Sequence, residues 1–331
     1  MDIRSIGILT SGGDAPGMNA ALRAAARYAI QSDQRVFGIA DGYQGLIEGR
    51  IEEMSNRSVG DILTRGGTII GTARSPEFQT DEGLQKAIKN IHRWELDCII
   101  AIGGDGTFRG AVELIKRGYK IVGIPATIDN DVHGTELCIG FDTAVNTALE
   151  SLRKLRDTAG AHKRTFIMEV MGRESGWIAL YTGIAGGAEA ILVPEFPPDY
   201  DKICDELDKG ITRGKKHSLL VVAEGLAKIH HDREDMASGY VVAAEIEKRL
   251  GFKPTVVVLG HTQRGGSPTA QDAILATRMG VASVEFILDN QYGVMTAARG
   301  ADLIAAPLEQ VAGGHNKLDE ELYAANMKLI G

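Results

Sequence analysis

Cys98-Ile99-Ile100-Ala101-Ile102-Gly103-Gly104-Asp105-Gly106-Thr107 decides the fold. Five apolar residues read as a buried strand, and the glycines that follow turn the chain sharply toward a helix. A second stretch repeats the arrangement: Ile121-Val122-Gly123-Ile124-Pro125 leads into Thr127-Ile128-Asp129-Asn130-Asp131. The first turn offers bare backbone N–H groups and one carboxylate. The second offers two more carboxylates at i and i+2. Phosphate-cradling amides, a carboxylate for a metal ion and a base are the components of phosphoryl transfer.

Working outward, short apolar runs alternate with helical patterns. Residues 6–9, 35–39, 98–102, 121–124, 166–170, 191–193, 219–223 and 256–259 read as strands. Residues 20–30, 81–92, 110–117, 143–158, 203–212 and 240–250 read as helices, the last with Ser238 as its N-cap. Such alternation implies a mostly parallel sheet covered by helices, with ligands beyond the carboxyl ends of the strands. The polar signatures fall there. Ser11-Gly12-Gly13-Asp14 follows the first run, and Met171-Gly172-Arg173, Glu224 and His261-Thr262-Gln263-Arg264 follow later ones. No internal repeat or low-complexity tract is visible. Residues 228–236 read as a solvated surface loop, and the pair His230-His231 as part of it rather than as a metal site.

A length of 331 residues implies about two domains. The 44% hydrophobic and 24% charged content is an ordinary globular balance. The 41 glycines and 5% aromatic residues suit many tight strand-to-helix turns and backbone-lined sites. A net charge of −8 argues against nucleic-acid or membrane-surface partners. An anionic substrate therefore needs a local pocket of Arg and Lys. Cys98, Cys138 and Cys204 have no paired or metal-like spacing and read as free thiols of a reducing cytoplasm. No signal-peptide core precedes the first run, and no apolar run reaches the roughly 18 residues of a membrane span.

Each motif also has a plain structural reading. The pentad 103–107 also occurs in NAD kinases and diacylglycerol-type lipid kinases, so it speaks for nucleotide phosphates rather than for one acceptor. The P-loop pattern and Gly-x-Gly-x-x-Gly are both absent. Residues 11–19 fit either an ordinary βα turn or an anion site at a helix start. Two aspartates directly after a strand that ends in proline suit a base that deprotonates a hydroxyl. Residues 261–268 mix a cation, a histidine and glycines, which suits a phosphate group. Arg164 and Arg173 bracket residues 166–170; the ordinary fate of such an Arg is surface charge.

Together, residues 9–19, Arg65-Gly66-Gly67-Thr68, 103–107, 125–131, 169–173 and 259–268, in this order, resemble the 6-phosphofructokinase family. The resemblance runs from Ile6 to about Ala282. It implies two similar three-layer α/β/α domains with mostly parallel sheets and an active site in the cleft between them. Residues 1–139 plus about 262–312 would form the ATP-binding domain, and about 140–261 plus 313–331 the fructose 6-phosphate-binding domain. The implied reaction is phosphoryl transfer from ATP to the 1-hydroxyl of fructose 6-phosphate in glycolysis, with Mg²⁺, in a cytoplasmic homotetramer.

Carried over by position, the family pattern gives Gly13, Arg74, Ser75, Gly104, Asp105, Gly106 and Thr107 to ATP, with Asp105 on the metal. Asp129 would be the general base, oriented by Thr127 and Asp131. Arg173 would stabilise charge on the transferring group, and Arg74 would bridge the phosphates of the two substrates. Met171, Gly172 and Glu224 would hold the sugar; His261, Arg264 and Arg164 the 6-phosphate, with Arg164 lent by a neighbouring subunit. A phosphate dianion calls for several charge-assisted donors. Arg23, Arg27, Arg156, Glu189, Arg213, Lys215 and Lys216 fit an effector site for ADP or phosphoenolpyruvate, with Asn56 where an Arg is expected and Arg57 next to it.

Pyrophosphate-using relatives carry Asp at position 106 and Lys at position 126. This chain has Gly106 and Ala126, which resembles the ATP-dependent branch. The alternatives are a pyrophosphate-dependent phosphotransferase and a non-catalytic nucleotide or sugar-phosphate sensor; Asp105, Asp129 and Asp131 weigh against the sensor. Thr255 stands where the family usually places another 6-phosphate Arg, with Lys253 two residues away. One missing charge-assisted contact costs about 1.5–3 kcal/mol, roughly one to two decades of sugar-phosphate affinity. A steady-state titration with fructose 6-phosphate tests the effector set: ADP and phosphoenolpyruvate are expected to shift a sigmoidal curve, and hyperbolic, unshifted curves would count against it.

Overall fold

The apolar runs become strands of two sheets. The computed structural model describes residues 3–231 and 236–328. Its strands are β1 (Ser5–Ser11), β2 (Arg35–Ile39), β3 (Ile51–Met54), β4 (Cys98–Gly103), β5 (Ile121–Pro125) and β6 (Thr165–Val170). They continue with β7 (Ala190–Leu192), β8 (Ser218–Ala223), β9 (Thr255–Val258), β10 (Val294–Arg299) and β11 (Asp302–Pro307). The contacts divide the chain into two units, residues 1–143 with 264–316 and residues 144–263 with 317–331.

In the first unit the sheet order is β11-β10-β5-β4-β1-β2-β3. Neighbours run parallel except for the antiparallel edge pairs β10–β11 and β2–β3. Strands β1, β4 and β5 are buried along their whole length, as a sheet with both faces covered requires. Successive side chains point to opposite faces. Leu9, Ile99 and Ala101 join Tyr43, Leu46, Leu84, Ile91 and Phe108 in one apolar cluster, supplied by the helices Gly42–Glu48, Asp81–Arg93 and Asp105–Ile115. The alanine-rich helix Met18–Gln31 packs against the helix Ala270–Leu288. Gly280 sits at their crossing: a Cβ there would lie 2.6 Å from Ala21 O and 2.7 Å from Ala24 Cβ, so the close approach requires glycine.

The second unit has an all-parallel sheet, β7-β8-β6-β9. Ile167, Leu192, Leu220 and Val222 pack against Tyr200, Cys204, Leu207, Val242 and Ile246 of the helices Tyr200–Thr212 and Ser238–Leu250. The helix Trp177–Gly186 also contacts β7 and β8. Both units are therefore α/β with mostly parallel sheets. Among the described residues no helix is long and apolar enough to cross a membrane. The three cysteines are buried and unpaired.

Strands fall within a residue or two of every expected run. The structure adds β3, β10 and β11, which the pattern did not suggest. β3 carries Glu52 and Glu53 on a sheet edge, and β10 and β11 are rich in alanine, so pairing rather than local propensity makes them strands. The helix expected over 110–117 starts at Asp105 and ends at Ile115. An aspartate in the first turn favours the positive helix end and outweighs the adjacent glycines. Ser238 is not an N-cap, because Ala237 holds that position. Its Oγ instead donates to Glu224 O (2.6 Å) and accepts from Ala227 N (2.8 Å). His230 and His231 lie in a short helix, Leu226–His231, not in a loop. His230 Nε2 donates to Pro194 O (2.7 Å), and His231 Nε2 bonds the Tyr200 hydroxyl (2.9 Å). Residues 232–235 of the expected loop lie outside the described residues.

One buried carboxylate anchors the chain after β5. Asp272, 1% exposed, accepts from Gly140 N (3.0 Å), Thr143 N (2.8 Å) and Thr143 Oγ1 (2.6 Å). Burial pushes its carboxyl above the usual range, against the pull of these hydrogen bonds. A raised folded-state value means that its contribution to stability is full below the unfolded pKa and lost as pH rises through the folded value. At neutral pH Asp272→Asn is therefore expected to cost less than Asp272→Ala, which strands two amides and loses about 3 kcal/mol. Denaturant midpoints of the two variants check this order.

Candidate active site

Parallel register brings three loops to one sheet edge. Ser11 pairs with Gly103 across β1 and β4, and Gly103 pairs with Pro125 across β4 and β5. The turns 11–14, 103–107 and 126–131 therefore leave adjacent strand tips on the same side. Ala126 N donates to Gly103 O (3.0 Å), and a Cβ on Gly104 would meet Thr127 Cβ at 3.5 Å, so the second and third turns touch. Thr107 Oγ1 donates to Ser11 O (3.0 Å), tying the helix start to the first turn. Gly103 has no room for a side chain: a Cβ would lie 2.3 Å from Thr107 Oγ1 and 2.5 Å from Ser11 O.

Asp105 is the first residue of its helix. Its Oδ1 accepts from Gly313 N (2.7 Å), and its Oδ2 is held by the guanidinium of Arg109 one turn on, with Nε at 2.7 Å. Gly106 differs from Gly103. A Cβ there would meet nothing within 4 Å.

The loop after β5 is held by Asn130, which adopts a left-handed φ of 51°. Its Nδ2 donates to Glu136 O (3.1 Å), its Oδ1 accepts from Cys138 N (2.8 Å), and its carbonyl accepts from Asn316 Nδ2 (3.1 Å). Asp129 beside it is 2% exposed, and its N–H donates to Thr127 Oγ1 (3.2 Å). Arg264 lies over the first turn: NH1 donates to Asp14 O (3.1 Å), and a Cβ on Gly13 would lie 2.6 Å from NH1. Thr72 Oγ1 donates to Gly12 O (2.7 Å), which brings the 72–75 segment to the same turn. Arg74 there is exposed, and Ser75 Oγ donates to Gln44 Oε1 (2.8 Å).

In the second unit, Met171-Gly172-Arg173 leave β6 with φ of 139° at Gly172 and 55° at Arg173. Glu224, just after β8, holds this turn: Oε1 accepts from Gly172 N (3.3 Å) and Arg173 N (2.8 Å). Gln263 is fully buried, and its Oε1 accepts from Met171 N (3.3 Å). Buried Glu169 on β6 accepts from Gly239 N (2.7 Å); burial raises its carboxyl, and nearby Glu224 adds to the rise. Arg164, Arg173 and His261 are exposed.

Among the effector candidates, Arg156 NH2 donates to Gly186 O and Gly187 O, and Lys215 pairs with Glu189 at 2.7 Å. Arg213 and Lys216 are exposed nearby in sequence. Arg23 and Arg27 are partly buried on the helix Met18–Gln31 of the first unit.

The family model for phosphofructokinase matches residues 5–287. The chain belongs to the phosphofructokinase family. It is 46% identical over 327 residues to a protein of Oceanobacillus iheyensis named ATP-dependent 6-phosphofructokinase, covering 99% of each chain. It is 49% identical over 321 residues to the protein of that name from Listeria monocytogenes, covering 97% of this chain and 98% of the relative. The solved phosphofructokinase of Saccharomyces cerevisiae superposes with a TM-score of 0.85 at 34% identity; the match covers 93% of this chain and 45% of the yeast one. A pyrophosphate-dependent phosphofructokinase from Marinobacter aquaeolei superposes at 0.83 with 24% identity, covering 96% of this chain and 86% of that one, and shows the shared fold.

Arg109 and the locking roles of Asn130 and Gln263 escape a reading of motifs. Arg109 stands four residues after Asp105, a helix-facing spacing that becomes visible only once the helix is known to begin at 105. The two glycines should respond oppositely. Gly103→Ala is expected to lower the melting temperature by several degrees, because backbone must move. Gly106→Ala should match or raise it, since alanine exceeds glycine in a helix by about 1 kcal/mol. Thermal melts of both variants decide this.

Proposed function

We propose that this phosphofructokinase-family chain transfers the γ-phosphoryl group of ATP to the 1-hydroxyl of fructose 6-phosphate, with Asp129 as general base. The observation that carries the reading is the common edge of β1, β4 and β5, where Gly-rich turns, a helix start and the Thr127–Asp131 loop leave side by side. Amides at a helix start favour phosphates. The names of the bacterial relatives supply the substrates.

In this reading Gly13, Gly104, Gly106, Thr107, Arg74 and Ser75 line the nucleotide. Asp129 takes the hydroxyl proton as the sugar oxygen bonds to phosphorus and the bond to the β-phosphate oxygen breaks. Thr127 and Asp131 orient it, and Arg173 offsets charge on the moving group. Met171, Gly172 and Glu224 hold the sugar, with His261, Arg264 and Arg164 on the 6-phosphate. Glu224 would act largely through the backbone it already holds at Gly172 and Arg173.

The donor set suits Mg²⁺, which takes oxygen ligands and often uses one or two carboxylates with substrate phosphates. Among the described residues no cluster of three His, Cys, Asp or Glu forms a complete protein cage. Asp105 would hold the ion, with Arg109 releasing Oδ2, and the bound ion would offset phosphate charge. ATP is favoured over pyrophosphate by two positions. The space beside Gly106 is unused by the protein's own atoms, and Ala126 is fully buried, a costly place for a lysine. We extend the same reading to the homotetramer, to Arg164 lent between subunits, and to ADP or phosphoenolpyruvate at the effector residues.

A coupled assay with fructose 6-phosphate, Mg²⁺ and either ATP or pyrophosphate tests the donor; turnover is expected with ATP. Asp129→Asn should lower kcat by about 10²–10⁴-fold with an unchanged melting temperature. A variant that kept most of its activity would refute the base.

A further inference from the structure

The loop after β5 and the start of the helix Asp105–Ile115 are joined by a distant piece of the same unit. Residues 313–316 follow the short helix Leu308–Val311 and form no regular element apart from an isolated antiparallel bridge between His315 and Val132. Gly313 N donates to Asp105 Oδ1 (2.7 Å). Asn316 N donates to Asp131 O (2.9 Å), and Asn316 Nδ2 donates to Asn130 O (3.1 Å) and, at a longer 3.4 Å, to Thr135 O. This short strap therefore bonds a carboxylate at the helix start with one end and the peptide groups directly after Asp129 with the other.

The strap is close-fitting and short. Gly314 lies against the loop: a Cβ there would be 2.9 Å from His133 Cβ and 3.0 Å from His133 Cγ. Extended backbone reaches about 3.3–3.6 Å per residue, so the steps from Gly313 to Asn316 span at most about 11 Å. That length limits how far the Asp105 helix start and the Asp129 loop can part. The Asn316 amide carries two N–H groups, enough for both carbonyls. Asn130, whose carbonyl it holds, has a left-handed φ of 51°, a conformation that persists only where its surroundings enforce it. Without the Asn316 side chain the peptide after Asn130 is freer to turn, and the adjoining Asp129 loses its fixed direction.

We propose that Asn316 is a positioning residue for phosphoryl transfer: by holding the Asn130 and Asp131 carbonyls it aims the Asp129 carboxylate, and Gly313 ties that aim to Asp105. The proposal rests on the reading of Asp129 as the base and adds to it a residue from far along the chain that acts on the base through backbone alone.

Steady-state kinetics of the full-length protein with ATP, Mg²⁺ and fructose 6-phosphate test it, on Asn316→Ala, Asp129→Asn and the double variant. Asn316→Ala is expected to lower kcat about 10–30-fold and to leave both KM values within about twofold, as a misaimed group rather than lost binding requires. In the Asp129→Asn background the same change should cost less than about twofold, because no base remains to be misaimed. A merely structural anchor would lower the melting temperature without this dependence on Asp129. Gly314→Ala, which pushes the strap off His133, should show the same non-additive loss, and it carries the comparison if Asn316→Ala does not fold. The proposal is overturned if Asn316→Ala keeps kcat within about twofold, or if its loss multiplies with that of Asp129→Asn. Failure of the base itself is seen separately: Asp129→Asn alone would then keep most of its activity, and the proposal would fall with it.

Discussion

The register of three parallel strands is the constraint on which the rest of the first unit depends. Ser11, Gly103 and Pro125 lie in line across β1, β4 and β5. Parallel strands all point their carboxyl ends the same way, so each loop leaves from the same edge. A slip of one residue between β4 and β5 would move the side chains of one strand to the opposite buried face, exchanging Ile99 and Ala101, which pack in the cluster with Phe108, for Ile100 and Ile102, which lie outside it. The hydrophobic core thereby sets the spacing of Asp105 and Asp129.

Local interactions then fix each loop on that frame. Thr107 ties the helix start to Ser11, the Asn130 side chain holds two backbone groups around the Asp129 loop, and Glu224 holds two amides where φ is positive at successive residues. Positive φ at Asn130 and Arg173 carries a steric cost, which a site repeats only where the backbone must turn in a particular way. The loops that carry Asp129 and Arg173 are thus held by polar neighbours, Asn130 and Glu224.

Much of this architecture was legible in the chain. Isoleucine- and valine-rich runs announce buried strands by composition alone, and glycine-aspartate turns mark their ends. The family resemblance supplied the identities of the substrates, which spacing could not. What stayed hidden depends on partners distant in sequence. β10 reads as an alanine-rich stretch until Val294 and Met295 pair with Val122 and Gly123. Asp105–Arg109 reads as unrelated until the helix is known to begin at the aspartate. Gln263 looks like one more motif polar group, yet its amide is buried against Met171 N. His230 and His231 look solvated by composition and are instead bonded to Pro194 and Tyr200.

The pairing of β10 with β5 has a consequence for the order in which the chain can fold. Strand β5 is complete by Pro125, but its neighbour on that side arrives only at Val294, after all of residues 144–263 have been made. During synthesis the ribosome therefore releases a sheet whose fifth strand has a bare, apolar edge while an entire second unit emerges and folds behind it. Unpaired edges of this kind recruit foreign strands. Arrest or truncation anywhere before the last tenth or so of the chain leaves that edge open, so incomplete chains should be far more prone to aggregation than the finished protein.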